Sequence, residues 1–187
     1  MSNVSPYLMT YFIMLAIYRL LEMTAMKGNK SRLIGSKSKD PTYYLIVIPF
    51  MLAIIEPPLE YALTDHQPNP LCFFGGMGLF IITTIFRIKS LIDIKGGFSP
   101  NIEKSDNQVL VTKGTYSLVR HPLYLTVLLL AIAVAIMLAA VWAWIFILAA
   151  AVGVLTRIPA EEKFLLKQFP EYQSYCEKTW RLIPGIY

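Results

Sequence analysis

Charged residues are scarce in this chain of 187 residues, since lysine, arginine, aspartate and glutamate together make up 16% of it. A soluble domain carries about a quarter charged residues. A disordered chain is poor in aromatic residues, whereas 13% of this sequence is aromatic and 56% is hydrophobic. The composition therefore excludes a disordered chain and predicts a polytopic membrane protein.

Cysteine and histidine are also rare, with two of each. Cys72 and Cys176 are too few to form a disulfide scaffold in a chain of this length. His66 and His121 fall on opposite sides of the membrane in the topology predicted below, and the sequence holds no Cys/His cluster. We therefore expect no metal site held by the protein.

Four long apolar stretches are candidates for membrane helices, each of which needs roughly 20 mostly apolar residues. They occupy residues 7–23, 43–63, 71–88 and 123–156. The last would form a helix of about 50 Å, which is too long for a bilayer about 30 Å thick, so we predict two helices with a tight reversal near residues 139–144. The predicted fold class is all-α, an integral membrane bundle of about five transmembrane helices with a cytoplasmic C-terminal helical tail.

Lysine and arginine are unevenly distributed along the chain. Apart from Arg19, they lie between the first and second spans, between the third and fourth spans, or in the C-terminal tail. Five spans place these segments on one side, which the positive-inside rule makes cytoplasmic, so we expect the N-terminus outside and the C-terminus inside. The net charge of +5 then indicates contact with membrane lipids and not with nucleic acid.

The N-terminus is not expected to be a secretory signal, because Arg19 and Glu22 stand where a cleavage site would lie. We expect the plasma membrane as the location in a prokaryote and the endoplasmic reticulum in a eukaryote. Arg19 and Glu22 are expected to pair and to extend to the cytoplasmic surface. Glu56 and Glu60 lie toward the outer end of the second span, where they are expected to reach the interface. The glycine cluster at 75–78 favours close helix packing.

The polar segment before the fourth span ends in a pattern that favours an anion-binding helix start. Gly114 permits a turn with positive φ, and Pro122 suits the first turn of a helix. The helix N-terminus beside Arg120, His121 and Tyr124 would suit a carboxylate or a phosphate. The alternative is an ordinary helix start whose basic flank contacts lipid headgroups.

The C-terminal tail predicts a helix that begins at Pro159 and is interrupted by Pro170, with a second short helix from Glu171 onward. Glu161 and Glu162 lie in its first turn. Either could face a cavity and bind a cationic or hydroxyl-rich ligand, and the pattern does not distinguish them. The alternative is an amphipathic helix on the membrane surface.

Four short motifs follow one another in the C-terminal half. They are Val-Thr-Lys-Gly-Thr-Tyr at 111–116, Arg-His-Pro-Leu-Tyr at 120–124, Arg157 with Glu161 and Glu162, and Tyr172 and Tyr175 with Arg-Leu-Ile-Pro at 181–184. In this order they resemble the isoprenylcysteine carboxyl methyltransferase family and its phospholipid methyltransferase relatives. Pro170 stands where those relatives often have glycine.

The resemblance implies an integral membrane methyltransferase that uses S-adenosylmethionine without a Rossmann domain and releases S-adenosylhomocysteine. It places the cofactor between the loop before the fourth span and the tail, in contact with Gln108, Val109, Leu110, Val111, Tyr116, His121, Leu123, Tyr124 and Glu161. It assigns Arg157 to the methyl acceptor, so that Arg157 and Glu161 are the expected catalytic residues. We expect one membrane-embedded domain, 1–187, with three spans in 1–88 and the cofactor loop, helical hairpin and tail in 89–187.

The leading hypothesis is methylation of the C-terminal carboxylate of a prenylated cysteine, or of a similar lipidated small molecule or peptide that enters from the bilayer. A carboxylate with a pKa of about 3.5 is ionised at neutral pH and needs no base, whereas the amine of phosphatidylethanolamine must lose a proton. N-methylation of that phospholipid is an alternative. Two further alternatives are a non-catalytic membrane protein and a nicotinamide-dependent relative of membrane sterol reductases.

Overall fold

Helices dominate the described part of the chain, which in this computed structural model comprises residues 5–27, 41–64, 67–94 and 110–187. The helices are α1 (Pro6–Met26), α2 (Pro41–Leu63), α3 (Pro70–Asp93), α4 (Pro122–Leu138), α5 (Ala143–Gln168) and α6 (Tyr172–Cys176), with a 3₁₀ turn at Gly114–Ser117 before α4. No strand is formed within these residues. The predicted all-α bundle of about five helices is confirmed.

The predicted spans coincide with the long helices. Helices α1, α2, α3 and α5 are long and apolar enough to cross a membrane, and α4 is a shorter apolar helix of 17 residues. The apolar run at 123–156 is divided into α4 and α5, and Ala139 ends α4 with a left-handed φ of 53°. The chain is thus a multi-pass membrane protein, as its apolar helices predict. Its orientation in the membrane stays a prediction.

Prolines within α2 leave backbone carbonyls that other helices cover. Pro58 has no N–H to donate to the carbonyl of Ile54, and the Tyr11 hydroxyl of α1 donates to that oxygen at 2.8 Å. Pro49 likewise leaves the carbonyl of Leu45 without its helical donor. Gly153 of α5 packs against this carbonyl so closely that a Cβ would collide with it. α2 is therefore contacted by α1 at one of these carbonyls and by α5 at the other.

Gly76 sets the contact between α3 and α4. A Cβ at this position would lie 2.5 Å from the backbone nitrogen of Met137. Nothing lies within 4 Å of the corresponding positions at Gly75 and Gly78. Of the glycine cluster, Gly76 is the residue that allows close helix packing.

Glu60 joins α2 to the reversal between α4 and α5. Its carboxylate accepts hydrogen bonds from the backbone N–H of Val141, at 2.9 and 3.1 Å, and of Trp142, at 3.1 Å. These N–H groups lie in the reversal just before α5, near the helix start where the dipole favours a negative charge. The half-buried carboxylate predicted to reach the interface therefore also holds the reversal between α4 and α5.

The predicted exposure of Glu22 is wrong. Glu22 does pair with Arg19, at 2.5 Å, but its side chain is only 1% exposed. It also accepts a hydrogen bond from Tyr18 at 3.0 Å and forms an ion pair with Arg87 of α3 at 2.8 Å. A partner on another helix thus keeps the carboxylate inside the bundle.

The predicted helix start at Pro159 is also wrong, because α5 runs without a break from Ala143 to Gln168. Val154 and Ile158, which directly precede the two residues of the hydrogen bond that Pro159 cannot form, are completely buried, and this packing outweighs the cost of a proline inside a helix. At 26 residues α5 is about 39 Å long, so its charged end beyond Thr156 extends past an apolar core of about 30 Å. The interruption at Pro170 and the short helix after it are confirmed.

Candidate functional site

The start of α4 and the C-terminal tail meet at one end of the bundle, here called the site end. The backbone N–H of Arg120 donates to the carbonyl of Trp180 at 2.7 Å, and that of His121 donates to the carbonyl of Arg181 at 3.1 Å. Trp180 N–H donates in turn to Leu118 at 3.2 Å. These main-chain bonds bring together two segments about 60 residues apart.

The loop before α4 is anchored on the end of α3. The Asp93 carboxylate accepts hydrogen bonds from the backbone N–H of Thr115 at 2.8 Å and from its hydroxyl at 3.0 Å. The adjoining Gly114 has a φ of +66°, as predicted for a turn, and a Cβ there would collide with the same carboxylate. The hydroxyl of Tyr175 in α6 donates to the carbonyl of Tyr116 at 2.6 Å. The loop is therefore held from both sides.

A cavity with about 490 Å³ of empty space, partly open to solvent, lies between this loop, α5 and the tail, and we call it the polar cavity. It contains five of the residues that the family resemblance assigns to the cofactor. Its lining residues are Ile94, Leu110, Val111, Tyr116, Arg120, His121, Glu161, Leu165, Phe169, Tyr172 and Tyr175.

A second cavity, with about 550 Å³ of empty space, lies between α1, α2, α3 and α4, and we call it the apolar cavity. Leu123 and Tyr124, which the resemblance also assigns to the cofactor, line this cavity and not the polar one. The lining residues are Met26, Tyr43, Ile46, Val47, Phe50, Arg87, Leu91, Leu123, Tyr124 and Val127.

His121 and Tyr124 separate the two cavities. Their rings are stacked, with centroids 5.6 Å apart and an angle of 19° between the planes. His121 precedes Pro122, which opens α4 as predicted, and Tyr124 lies in the first turn of the helix. One ring therefore faces the polar cavity and the other the apolar cavity.

The structure distinguishes the two adjacent glutamates that the sequence pattern left equivalent. Glu161 lines the polar cavity and accepts a hydrogen bond from the Tyr124 hydroxyl at 2.6 Å. Glu162 points the other way and binds Arg120 at 2.8 Å, Arg181 at 2.9 Å and His121 at 3.4 Å. Glu161 is thus available to a ligand, whereas Glu162 ties the tail to the start of α4.

Glu162 remains ionised under all ordinary conditions. It lies in the part of α5 beyond the apolar span and its side chain is 8% exposed. Burial alone would raise its pKa, but hydrogen bonds with His121 and Arg120 and the charges of both outweigh burial and lower the pKa to about 2. The buried carboxylate is consequently a fixed negative charge that orders the basic groups around it.

Arg157 is buried behind Tyr124. Its Nε donates to the Tyr124 hydroxyl at 2.7 Å, and its Nη1 donates to the hydroxyl of Thr42 at 2.8 Å. Its guanidinium also lies 5.9 Å from the centre of the Tyr43 ring. Arg157 is 2% exposed and is not among the described residues that line either cavity. Its contacts hold Tyr124 in place from the side opposite Glu161.

Two buried hydroxyl groups of the polar cavity are left without a hydrogen-bond partner among the described residues. They belong to Tyr116 and Tyr172. Burial raises the pKa of both phenols above the usual range, so both are neutral donors. Because buried polar groups are rarely unpaired, these hydroxyls indicate a ligand with several hydrogen-bonding groups.

Tyr172 lines the polar cavity although the family resemblance, which includes it in the tail motif, does not assign it to the cofactor. Leu165 and Phe169 were likewise not assigned. The signal that could have found them is the run of apolar and aromatic residues around Pro170, which turns the chain back over the cavity. Gln108 and Val109, assigned to the cofactor, lie outside the described residues. Within those residues there is no cluster that could hold a metal ion.

Comparison with known proteins shows what part of this chain is similar to. Residues 76–167 match the model of the isoprenylcysteine carboxyl methyltransferase (ICMT) family. The resemblance seen in the sequence motifs is thereby confirmed, and the stretch from α3 to the end of α5 carries the pattern of this membrane methyltransferase family.

A curated relative extends the comparison. The chain is 32% identical over 120 residues to the cobalt-zinc-cadmium resistance protein CzcN of Cupriavidus metallidurans. The alignment covers 63% of this chain and 51% of CzcN, so the chain spans about half the length of the curated relative that it matches.

Proposed function

We propose that the protein transfers the methyl group of S-adenosylmethionine to the carboxylate of a prenylated cysteine or of a similarly lipidated acceptor. The observation that carries the proposal is the meeting of two unlike cavities at the stacked rings of His121 and Tyr124. One is lined by a mixture of polar, aromatic and aliphatic side chains, the other almost entirely by apolar ones. A water-soluble cofactor and a lipid could thus reach a common wall from opposite sides.

The polar cavity suits the cofactor by its chemistry. The unpaired hydroxyls of Tyr116 and Tyr172 can donate to a nucleoside or to an amino-acid group, and Glu161 can accept from ribose hydroxyls or from an ammonium group. His121 and the helix start at Pro122 supply groups for a carboxylate. Leu110 and Val111 are expected to contact the nucleoside, together with Gln108 and Val109.

The apolar cavity suits the lipid part of the acceptor. Its walls come from four membrane helices, and all but one of its lining side chains are aliphatic or aromatic. Lipid tails are as apolar as these walls, so a prenyl chain could pass from the bilayer into this cavity at little cost in free energy. We propose that the acceptor enters this cavity laterally from the bilayer.

The residues at the shared wall would align the reactants and keep water out. Bound in the polar cavity, S-adenosylmethionine supplies an electrophilic methyl group, and an ionised carboxylate can accept it without a general base. Arg157 and Glu161 hold the Tyr124 ring between them, which gives the acceptor a rigid surface. The contribution of the protein would therefore be mainly orientation and exclusion of water.

A transfer assay tests the proposal. Purified protein in lipid vesicles is given S-adenosylmethionine labelled in the methyl group and N-acetyl-S-farnesylcysteine. We expect the parent protein to form a base-labile methyl ester. The rate should be at least tenfold lower in Glu161→Gln. Glu171→Gln, which alters an exposed carboxylate of the same tail, should keep the parent rate.

The assay also separates the alternatives. If the label appears in phosphatidylethanolamine and not in the cysteine derivative, the protein is an N-methyltransferase and not a carboxyl methyltransferase. Failure of the protein to bind S-adenosylmethionine in calorimetry would refute both methyltransferase functions.

A further inference from the structure

One charged side chain forms part of the wall of the apolar cavity. Of the described residues that line it, Arg87 alone carries a charge. Its side chain is 3% exposed and comes from α3, near the site end. Ionised groups inside membrane bundles are costly and generally serve a function. The position of Arg87 therefore calls for an explanation in terms of what the cavity binds.

The guanidinium of Arg87 is held by three hydrogen bonds to neighbouring helices. Its Nε donates to Glu22 at 2.8 Å, and its Nη1 donates to the hydroxyl of Thr126 at 3.0 Å and to the carbonyl of Leu123 at 3.3 Å. These bonds use three of the five N–H donors of an arginine. The Tyr18 hydroxyl also lies beside the guanidinium, so among the described residues at least one N–H group of Nη2 remains for a ligand in the cavity that the side chain lines.

The charge around Arg87 is not balanced. Glu22 is shared between Arg87 and Arg19 and also accepts a hydrogen bond from Tyr18. Two positive groups thus face one carboxylate, and the cluster has a formal charge of +1. Arg19 is 40% exposed, so solvent screens part of its charge, whereas Arg87 is buried on the cavity wall, where a charge attracts an anion more strongly than it would in water.

We propose that Arg87 binds the anionic headgroup of the lipid acceptor while the lipid chain occupies the rest of the apolar cavity. The proposal rests on the function proposed above and names the residue that recognises the acceptor. The matching chemistry is a single negative group joined to a lipid chain, either a carboxylate or a phosphodiester. Arg157 lies behind Tyr124 and acts as a positioning residue, whereas Arg87 lies on the cavity wall itself.

Equilibrium binding of matched ligands tests this assignment without requiring methyl transfer. The first arm compares N-acetyl-S-farnesylcysteine with its methyl ester, which differs by the loss of the negative charge. The second arm compares phosphatidylglycerol, whose phosphodiester is its only charge, with a diacylglycerol that has the same chains. Each pair is measured with the parent protein, Arg87→Gln and Arg87→Lys in detergent micelles, and Glu60→Gln serves as a variant altered at the opposite end of the bundle.

We expect the parent protein to prefer the anionic member of one pair at least tenfold, and that pair identifies the source of the headgroup. Arg87→Gln should bind both members of that pair equally, Arg87→Lys should keep part of the preference, and Glu60→Gln should keep all of it. A purely structural effect of the Arg87→Gln substitution would weaken the binding of both ligands in a pair alike. Glu22 keeps Arg19 and Tyr18 as partners in Arg87→Gln, so its carboxylate is not left unpaired.

An undiminished preference in Arg87→Gln, or a parent protein without preference in either arm, would overturn the assignment. Binding of S-adenosylmethionine is measured separately on the same samples. Its absence from the parent protein would refute the proposed methyl transfer but would leave the anion preference as an independent result.

Discussion

The Tyr124 hydroxyl lies 2.6 Å from a carboxylate oxygen of Glu161, although the two residues are 37 positions apart in the chain. Arg157 donates to the same hydroxyl from the other side at 2.7 Å. The phenol is therefore fixed by a carboxylate at the polar cavity and a guanidinium behind the apolar one. This row of three side chains links the two halves of the site.

Replacement of the Tyr124 hydroxyl should impair both stability and function. In Tyr124→Phe, Glu161 and Arg157 each lose a charge-assisted hydrogen bond, worth about 1.5–3 kcal/mol, while the stacking on His121 persists. We expect kcat/KM for the acceptor to fall roughly 10- to 100-fold, measured in the transfer assay. Parent-like turnover in a folded Tyr124→Phe protein would show that the ring alone suffices.

Binding of S-adenosylmethionine should depend on the residues that face the polar cavity. We expect His121→Ala and Glu161→Gln each to raise the dissociation constant about tenfold in calorimetry, since each removes roughly one hydrogen bond to the ligand. Glu171→Gln, at an exposed position outside the cavity lining, should leave the constant unchanged. Equal affinity in all three variants would refute the location of the pocket.

The stability of the site end should depend on pH through Glu162. Its pKa in the folded protein is about 2, below its ordinary value of 4.5, so ionised Glu162 stabilises the fold above pH 4.5. This contribution is lost as the pH falls from 4.5 toward 2, because the unfolded chain takes up the proton first. Thermal unfolding of the purified protein between pH 7 and pH 3 should show the loss.

Glu162→Gln provides the comparison for that experiment. Removing one member of a buried ion-pair cluster costs roughly 3 kcal/mol, so we expect a lower melting temperature at pH 7. The difference between parent and variant should shrink as the pH approaches 3, where other carboxylates affect both proteins alike. A difference that stays constant over this range would contradict the role given to the Glu162 charge.

Adjacent glycines of α3 should respond oppositely to the same substitution. Gly76→Ala places a methyl group 2.5 Å from the Met137 nitrogen, and the forced separation of α3 and α4 should cost about 1–3 kcal/mol. Gly75→Ala points into open space and should be neutral or stabilising by up to about 1 kcal/mol. Melting temperatures in detergent measure both changes, and equal effects would exclude a tight crossing at Gly76.

The sequence predicted the helices well because apolar runs of membrane length have few ways to satisfy their backbone groups. The reversal near Ala139 followed from length alone. The helix start predicted at Pro159 was wrong because it rested on local propensity alone. The burial of Val154 and Ile158 in the bundle keeps α5 continuous through this proline.

The sequence predicted those residues of the candidate site that stand in recognisable motifs. It did not predict side chains whose hydrogen-bond or ion-pair partners lie on helices distant in the chain. His121, Tyr124 and Glu161 stand in recognisable motifs. Glu22 and Arg87 are 65 positions apart, and nothing in the local pattern of either residue reveals the other. Sequence spacing also could not separate Glu161 from Glu162, because adjacent residues on a helix differ in direction by about 100°, and only the packing of the tail decides which one faces inward.

The hydrogen bonds that Glu60 forms with the amides just before α5 constrain how the helices can separate. They join α2 to the hairpin of α4 and α5 at the end remote from the polar and apolar cavities, so these helices cannot separate there without leaving the carboxylate unpaired. Any separation of these helices that admits a lipid from the bilayer must therefore be smallest at Glu60 and largest beside Tyr43 and Tyr124.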